Sequence, residues 1–157
     1  MTSTLVKLTP ESPEETADIA ARIGAELQPG DCLLLRGEIG SGKTHFARSL
    51  IQSLMVAPED VPSPTFTLVQ VYDTTRGEVW HSDLYRLSAA EELEELGLSE
   101  AFESAICLVE WPDKLGPLAP PSALTLTFAT DPEHEETRHL TVSGPDPKWS
   151  PLLEMLS

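Results

Sequence analysis

The feature that most constrains this chain is the stretch GEIGSGKT, residues 37–44. It satisfies the pattern G-x-x-x-x-G-K-[ST], and it lies between a short apolar run, CLLL, and a segment whose apolar residues recur at helical spacing. A strand, a glycine-rich loop and a helix in this order favour phosphate binding, because backbone N–H groups can turn toward a phosphate and the helix adds the positive end of its dipole. The sequence therefore predicts a nucleotide-binding α/β protein.

The loop residues have separate expected roles. We expect Lys43 to reach the β- and γ-phosphates and Thr44 to offer its hydroxyl to Mg²⁺. The other loop positions are expected to surround the phosphates: Gly37, Glu38, Ile39, Gly40, Ser41 and Gly42.

A magnesium site at such a loop also needs a carboxylate from a neighbouring strand end. Glu110 follows the apolar run ICLV, and Asp83 follows the less regular VWHS. The pattern favours Glu110 as the Mg²⁺ ligand, with Asp83 sharing the metal or its waters, so that Lys43, Asp83 and Glu110 form the predicted catalytic set. His81 lies two residues before Asp83, on the same face of a strand, and is expected to be structural.

The rest of the chain predicts alternating helices and strands in a single domain, residues 1–157. Helices are expected from the Ser12 capping box to Pro29, after the loop until Pro58, and from a Ser88 capping box to Gly97. Strands are expected at CLLL, TFTLVQVYD, GEVWHSD, AICLVE, ALTLTFAT and RHLTVS; LGPLAPPS is expected to be neither helix nor central strand, and KWSPLLEMLS to be a frayed helix. These elements predict a three-layer P-loop NTPase fold with a mixed, mainly parallel sheet.

The charge of the chain limits its partners. With 26 acidic and 10 basic residues, the net charge of −16 would repel a phosphate backbone, so stable direct binding of tRNA or other nucleic acid is not expected.

The chain has no secretory signal and no membrane-spanning apolar run, so we expect a cytoplasmic protein without membrane contact. Cys32 and Cys107 lie in apolar runs and are expected to be reduced, buried thiols.

ATP is the expected nucleotide. The chain contains no asparagine, so the Asn-Lys-x-Asp segment that reads guanine is absent, and Arg86 stands where a GTPase switch would have glycine. Six scattered arginines argue against the arginine-rich lid of a small-molecule P-loop kinase, although that alternative stays open. A non-hydrolysing, nucleotide-gated interaction module is the other alternative, and the segment SPTFTLVQVYD with Thr65 could act as a switch that senses the γ-phosphate.

Several segments together resemble the bacterial TsaE family, also called YjeE. They are GEIGSGKTHFAR, SPTFTLVQVYD, HSDLYRL, EELEELGL and ICLVEWPDKL, and the resemblance extends from about Ser12 to Arg138. It implies a small ATPase. The chain lacks an evident arginine finger, so we expect it to hydrolyse Mg·ATP weakly alone and better in a complex. The family supports threonylcarbamoyladenosine modification beside the tRNA anticodon by resetting the TsaB–TsaD heterodimer.

The resemblance also implies roles for individual residues. Lys43 and Thr44 would hold phosphate and Mg²⁺, Asp83 and Glu110 would complete the metal and water site, and Thr65 would belong to the switch. Trp111 and Arg138 would lie close to the nucleotide. The acidic surface then suggests docking on a basic partner face. The glutamates expected to take part are Glu91, Glu92, Glu94 and Glu95.

Overall fold

The computed structural model of the protein describes residues 3–57, 59–62, 64, 68–87, 91–145 and 147–157. Its strands are β1 (Ser3–Leu8), β2 (Cys32–Gly37), β3 (Val69–Thr74), β4 (Gly77–Asp83), β5 (Ile106–Glu110), β6 (Leu124–Thr130) and β7 (Arg138–Pro145). Its helices are α1 (Pro13–Gly24), α2 (Lys43–Leu54), α3 (Glu91–Glu95), α4 (Leu98–Ser104) and α5 (Ser150–Leu156), with a 3₁₀ segment at Pro112–Leu118.

The strands form one sheet in the order β1-β7-β6-β2-β5-β4-β3. In its centre β2 pairs in parallel with both β5 and β6, and β4 pairs in parallel with β5. Antiparallel pairs lie toward the two edges, where β7 joins β6 and β1, and β3 joins β4. The predicted mixed sheet is confirmed, with its parallel strands in the centre. Because β2, β4 and β5 run in the same direction, Gly37, Asp83 and Glu110 end at one edge of the sheet.

Helices cover both faces of the sheet, which confirms the three-layer fold. One buried cluster joins α1, α2 and α5 to the strands, with Ile23, Phe46 and Leu108 among its fully buried members. A second cluster on the other face contains Leu93 of α3 and Leu98 of α4. Strand β2 is buried on both faces because its apolar residues alternate between the two clusters, and such a strand must therefore read as a continuous apolar run.

Local signals set the helix boundaries next to the loop. Ser12 caps α1, since its Oγ accepts a hydrogen bond of 3.2 Å from the backbone N–H of Glu15, as the capping pattern predicts. Helix α2 begins directly after Gly42 and ends at Leu54, which agrees with the predicted end before Pro58. Gly97 has φ +82° and ends the third predicted helix, whereas the capping residue predicted for that helix, Ser88, lies outside the described residues.

The structure differs from the sequence predictions at several elements. Strand β1 was not predicted; it lies at the sheet edge and pairs with β7, more than a hundred residues away in the chain. A separate helix α4 follows Gly97. Within LGPLAPPS, residues 115–118 form part of the 3₁₀ segment, which is interrupted by the non-helical Gly116. The predicted terminal helix is confirmed as α5, but it is not frayed, because it buries Leu152, Leu153 and Leu156 against the core.

Both cysteines are free and buried, and Cys32 lies directly opposite Cys107 on the neighbouring strand. Among the described residues, no helix is both long and apolar enough to cross a membrane.

Candidate functional site

The glycine-rich loop connects β2 to α2 in a backbone conformation that requires glycine. Gly37, Gly40 and Gly42 have φ values of +146°, +81° and +106°. A Cβ on Gly37 would lie 2.6 Å from Ser41 Oγ and 2.7 Å from the backbone oxygen of Phe128. The loop is therefore packed tightly against β6 at its first residue, whereas a Cβ on Gly40 would meet nothing within 4 Å.

Lys43 lies at the first position of α2 and is only 4% exposed. Its Nζ donates hydrogen bonds to the backbone oxygens of Gly37 and Glu38, the latter over 2.9 Å, and lies 4.3 Å from the centroid of the Trp111 ring. Burial lowers the pKa of Lys43, while the nearby carboxylates of Glu110 and Asp83 raise it. The amine is thus held between the loop and the carboxylates at the end of the sheet.

Thr44, Glu110 and Asp83 meet at the carboxyl ends of the central strands. The hydroxyl of Thr44 donates to Glu110 Oε1 over 2.8 Å. Asp83 lies opposite Glu110 in the parallel register, and both residues are buried, with exposures of 6% and 2%. Asp83 Oδ1 also accepts a 3.0 Å hydrogen bond from the backbone N–H of Tyr85, which fixes its side chain. The structure thus brings the predicted metal-binding residues together.

His81 also contacts this group. Its Nε2 lies 2.6 Å from Glu110 Oε2, and the ring is completely buried. The sequence placed His81 on the same strand face as Asp83, but it gave no sign of a contact with Glu110. That contact depends on β4 and β5 being neighbours in the sheet, which neither segment encodes by itself.

Arg138 reaches the loop from the start of β7. Its Nε donates to the backbone oxygen of Ser41 over 3.0 Å, and its Nη1 donates to the backbone oxygens of Glu135 and Thr137 over 2.7 and 3.0 Å. Arg138 therefore fixes the middle of the loop relative to the β6–β7 turn.

The loop opens into a cavity of about 750 Å³. Trp111 and Tyr85 form one wall, with ring centroids 4.8 Å apart, and Trp111 has the left-handed φ of +60°. Six further lining residues were not predicted as site residues: Pro13, Thr16, His45, Tyr85, Glu135 and Glu136. They come from α1, α2 and two loops. His45 and Tyr85 lie within the segments GEIGSGKTHFAR and HSDLYRL, but the G-x-x-x-x-G-K-[ST] pattern covers none of the six.

The predicted site residues fall into three groups. Eight line the cavity together with Trp111: Ile39, Gly40, Gly42, Lys43, Thr44, Asp83, Glu110 and Arg138. Gly37, Glu38 and Ser41 contribute their backbone oxygens to Lys43 and Arg138. Thr65 lies outside the described residues.

The donor set fits Mg²⁺. Within the described part of the chain, no three His, Cys, Asp or Glu residues are arranged to hold a metal by themselves. Mg²⁺, however, prefers oxygen ligands and commonly binds one or two carboxylates together with substrate phosphates. Thr44, Asp83 and Glu110 provide such a partial set of oxygens beside the loop.

Comparisons with known proteins agree with the fold. A family model described as "Threonylcarbamoyl adenosine biosynthesis protein TsaE" matches residues 10–140. The Bacillus subtilis (strain 168) protein named tRNA threonylcarbamoyladenosine biosynthesis protein TsaE is 35% identical over 147 residues, covering 93% of this chain and 90% of the relative. A protein of the same name from Rickettsia bellii (strain RML369-C) is 41% identical over 109 residues, which is 69% of this chain and 76% of the relative.

A solved structure is similar over nearly the whole chain. The crystal structure of YdiB from Bacillus subtilis matches with a TM-score of 0.77 and 28% sequence identity, covering 99% of this chain and 96% of that one. The similarity therefore includes the sheet, the glycine-rich loop and the helices on both faces.

Proposed function

The chain belongs to the TsaE family of threonylcarbamoyl adenosine biosynthesis proteins, and from this premise we propose that it binds and hydrolyses Mg·ATP in support of that modification of tRNA. The observation that carries the proposal is the contact between Thr44 and Glu110, which joins the loop to a central strand end beside Lys43. The loop, the Lys43 amine, the Thr44 hydroxyl and the two carboxylates face one cavity, as binding of a nucleoside triphosphate with its metal ion requires.

The proposed roles follow from the contacts. Lys43 would exchange its bonds to the loop oxygens for bonds to the β- and γ-phosphates. Thr44, Asp83 and Glu110 would hold Mg²⁺, which when bound would neutralise charge that develops on the phosphates. A carboxylate oxygen that is not bound to the cation would orient the attacking water, and hydrolysis would yield ADP and inorganic phosphate. Thr65 remains a candidate for sensing the γ-phosphate.

Hydrolysis by the isolated chain is expected to be slow. Arg138 lines the cavity, but its guanidinium already donates to three backbone oxygens. Arg22 and Arg76 donate to backbone oxygens remote from the loop, at Met155 and Ala25. A partner that supplies a further positive group to the transferring phosphate would accelerate the reaction.

We propose the TsaB–TsaD heterodimer as that partner, with ATP hydrolysis resetting it between rounds of modification. The net charge of −16 supports docking on a protein with a basic surface better than direct binding of tRNA. The acidic helix α3 offers one such face, since Glu91, Glu94 and Glu95 are exposed.

The release of inorganic phosphate tests the reaction. Mg·ATP is mixed with the protein alone, with TsaB–TsaD alone, and with both, in the absence of any phosphate acceptor. We expect slow release by the protein alone and much faster release by the mixture. Transfer of phosphate only after a small-molecule acceptor is added would instead indicate a kinase. Nucleotide-dependent association without release in any mixture would indicate a non-hydrolysing module.

Association is tested separately by a pull-down of tagged TsaB–TsaD with ATP, with ADP and without nucleotide. Retention that depends on the nucleotide is expected for a resetting ATPase. If the protein is not retained under any of these conditions, the proposed partner is wrong, although ATP hydrolysis could still be correct.

A further inference from the structure

His81 is a completely buried residue in β4. Val79, His81 and Asp83 occupy every second position of the strand, so their side chains point to the same face, which packs against α1 and α2. On neighbouring β5, Leu108 and Glu110 point to the same face. His81 therefore lies beneath the loop and behind Glu110, away from the cavity, whose lining does not include it.

His81 and Thr44 hold the two oxygens of one carboxylate. Thr44 Oγ1 lies 2.8 Å from Glu110 Oε1, and His81 Nε2 lies 2.6 Å from Glu110 Oε2. Two contacts on opposite oxygens restrict rotation of the carboxylate about its last torsion. Oε1 is consequently kept on the side of Thr44 and the cavity, while Oε2 is kept on the side of the core.

The other ring nitrogen of His81 lowers the stability of the fold. His81 Nδ1 is buried and, among the described residues, has no hydrogen-bond partner. A buried polar atom without a partner destabilises a protein by about 1–3 kcal/mol, so an apolar side chain would suit this core position better. The contact with Glu110 is the feature that histidine provides and an apolar residue would not.

We propose that His81 is a positioning residue for the cation site: it donates from Nε2 to Glu110 Oε2 and so directs Oε1, with the Thr44 hydroxyl, toward bound Mg²⁺. The proposal rests on the proposed Mg·ATP site. It assigns His81 no contact with nucleotide or metal. Its consequence is that His81 strengthens the effect of Mg²⁺ on nucleotide affinity and leaves metal-free nucleotide binding unchanged.

Calorimetry can measure that consequence. The dissociation constant for ADP is determined with excess Mg²⁺ and with EDTA, and the ratio of the two constants gives the coupling between cation and nucleotide. We expect His81→Leu to reduce this ratio about tenfold, the range found when a group that orients a metal ligand is removed. The constant in EDTA should stay within about twofold of the wild-type value, because the loop and Lys43, which bind the phosphates, are unchanged.

Two conservative variants separate positioning from simple filling of space. The amide nitrogen of glutamine can reach the position of Nε2, so His81→Gln is expected to keep most of the coupling. Asparagine is too short to reach Glu110, so His81→Asn should behave like His81→Leu. Because both amides are polar and similar in size, this pair also serves if His81→Leu fails to fold. His139 is exposed, and His139→Gln serves as the control: its ratio of ADP dissociation constants should equal that of the wild type.

A double-mutant cycle tests whether His81 acts through Glu110. In a Glu110→Gln background, His81→Leu should change the ratio no further. An equal loss in both backgrounds, or equal ratios for His81→Gln and His81→Asn, would overturn the positioning role. If the dissociation constant of the wild-type protein for ADP is the same with Mg²⁺ and with EDTA, the proposed cation site itself is wrong. The failure of the His81 role and the failure of the cation site are therefore distinguishable.

Discussion

The hydroxyl of Thr44 and the carboxylate of Glu110 form a 2.8 Å hydrogen bond between residues 66 positions apart in the sequence. The bond connects the first turn of α2 to the end of β5. Because Thr44 donates its only hydrogen to Glu110, its oxygen lone pairs are left to accept or coordinate. The loop and the strand end thus present two oxygens together on one side of the cavity.

This relationship predicts the effect of removing the hydroxyl. Thr44→Val keeps the shape of the side chain but loses the bond, and we expect Mg²⁺-dependent ADP affinity to fall about tenfold or more, as for loss of a hydrogen bond to a charged group. Thr44→Ser retains the hydroxyl and is the matched control, with an affinity near the wild-type value. Calorimetry with Mg²⁺ checks both variants. Equal affinities for the valine and serine variants would contradict the role.

The position of Lys43 over Trp111 predicts an optical signal. Lys43 Nζ lies 4.3 Å from the centroid of the ring, and a phosphate that recruits this amine would remove a cation from the ring. We expect Trp111 fluorescence to change when ATP is added, and Lys43→Ala to abolish both the change and most of the affinity. Trp111→Phe should lose the signal, whereas Trp80→Phe should retain it. A full signal in Trp111→Phe would show that another tryptophan reports binding.

The loop glycines should differ sharply in their tolerance of alanine. At Gly37 a Cβ would lie 2.7 Å from the backbone oxygen of Phe128, which cannot move without shifting β6. Gly37→Ala is expected to reduce the free energy of unfolding by about 3 kcal/mol or more and to abolish nucleotide binding. At Gly40 only the positive φ opposes alanine, so about 1–2 kcal/mol is expected. Urea unfolding of the two variants gives the comparison, and similar losses would be inconsistent with this packing.

Much of the centre of the fold could be predicted because its signals are local. The buried run CLLL, the glycines after it and the apolar face of α2 define β2, the loop and α2 within about twenty residues. The same holds for Glu110, which follows a run of apolar residues. Fold class and the principal predicted ligands needed no information about distant contacts.

The remaining features depend on contacts between distant segments. Strand β1 is defined by pairing with β7, and Arg138 reaches Ser41 across 97 positions of sequence. The contact of His81 with Glu110 requires β4 and β5 to be neighbours in the sheet. Periodicity shows which face a residue occupies, but it cannot show which residue of another strand lies beside it.

Charge reversal tests the proposed acidic docking face. Helix α3 carries no basic residue, so changing its glutamates to lysine should weaken nucleotide-dependent retention by TsaB–TsaD several-fold, and more at low salt. The changed residues are Glu91, Glu92, Glu94 and Glu95. The control reverses the same number of charges at exposed positions on or near α1 and α5, on the opposite face of the sheet: Glu14, Asp18, Glu26 and Glu154. If both variants bind equally well, α3 does not dock.

The buried cysteines predict a loss of stability in alkali. Burial raises the pKa of Cys107 to about 12 from 9.0, and it also raises that of Cys32 on the adjacent strand. Between pH 9 and about pH 12 the Cys107 thiol ionises in the unfolded chain but not in the folded protein. The stabilisation that comes from the neutral buried thiol is therefore fully present below pH 9 and is lost progressively as the pH rises above it. The expected slope is about 1.4 kcal/mol per pH unit for each thiol. Urea unfolding at pH 8 to 10.5 should therefore show a smaller decline for Cys107→Ala than for the wild type, even though the variant is less stable throughout. Parallel declines would mean that the Cys107 thiolate is tolerated in the fold.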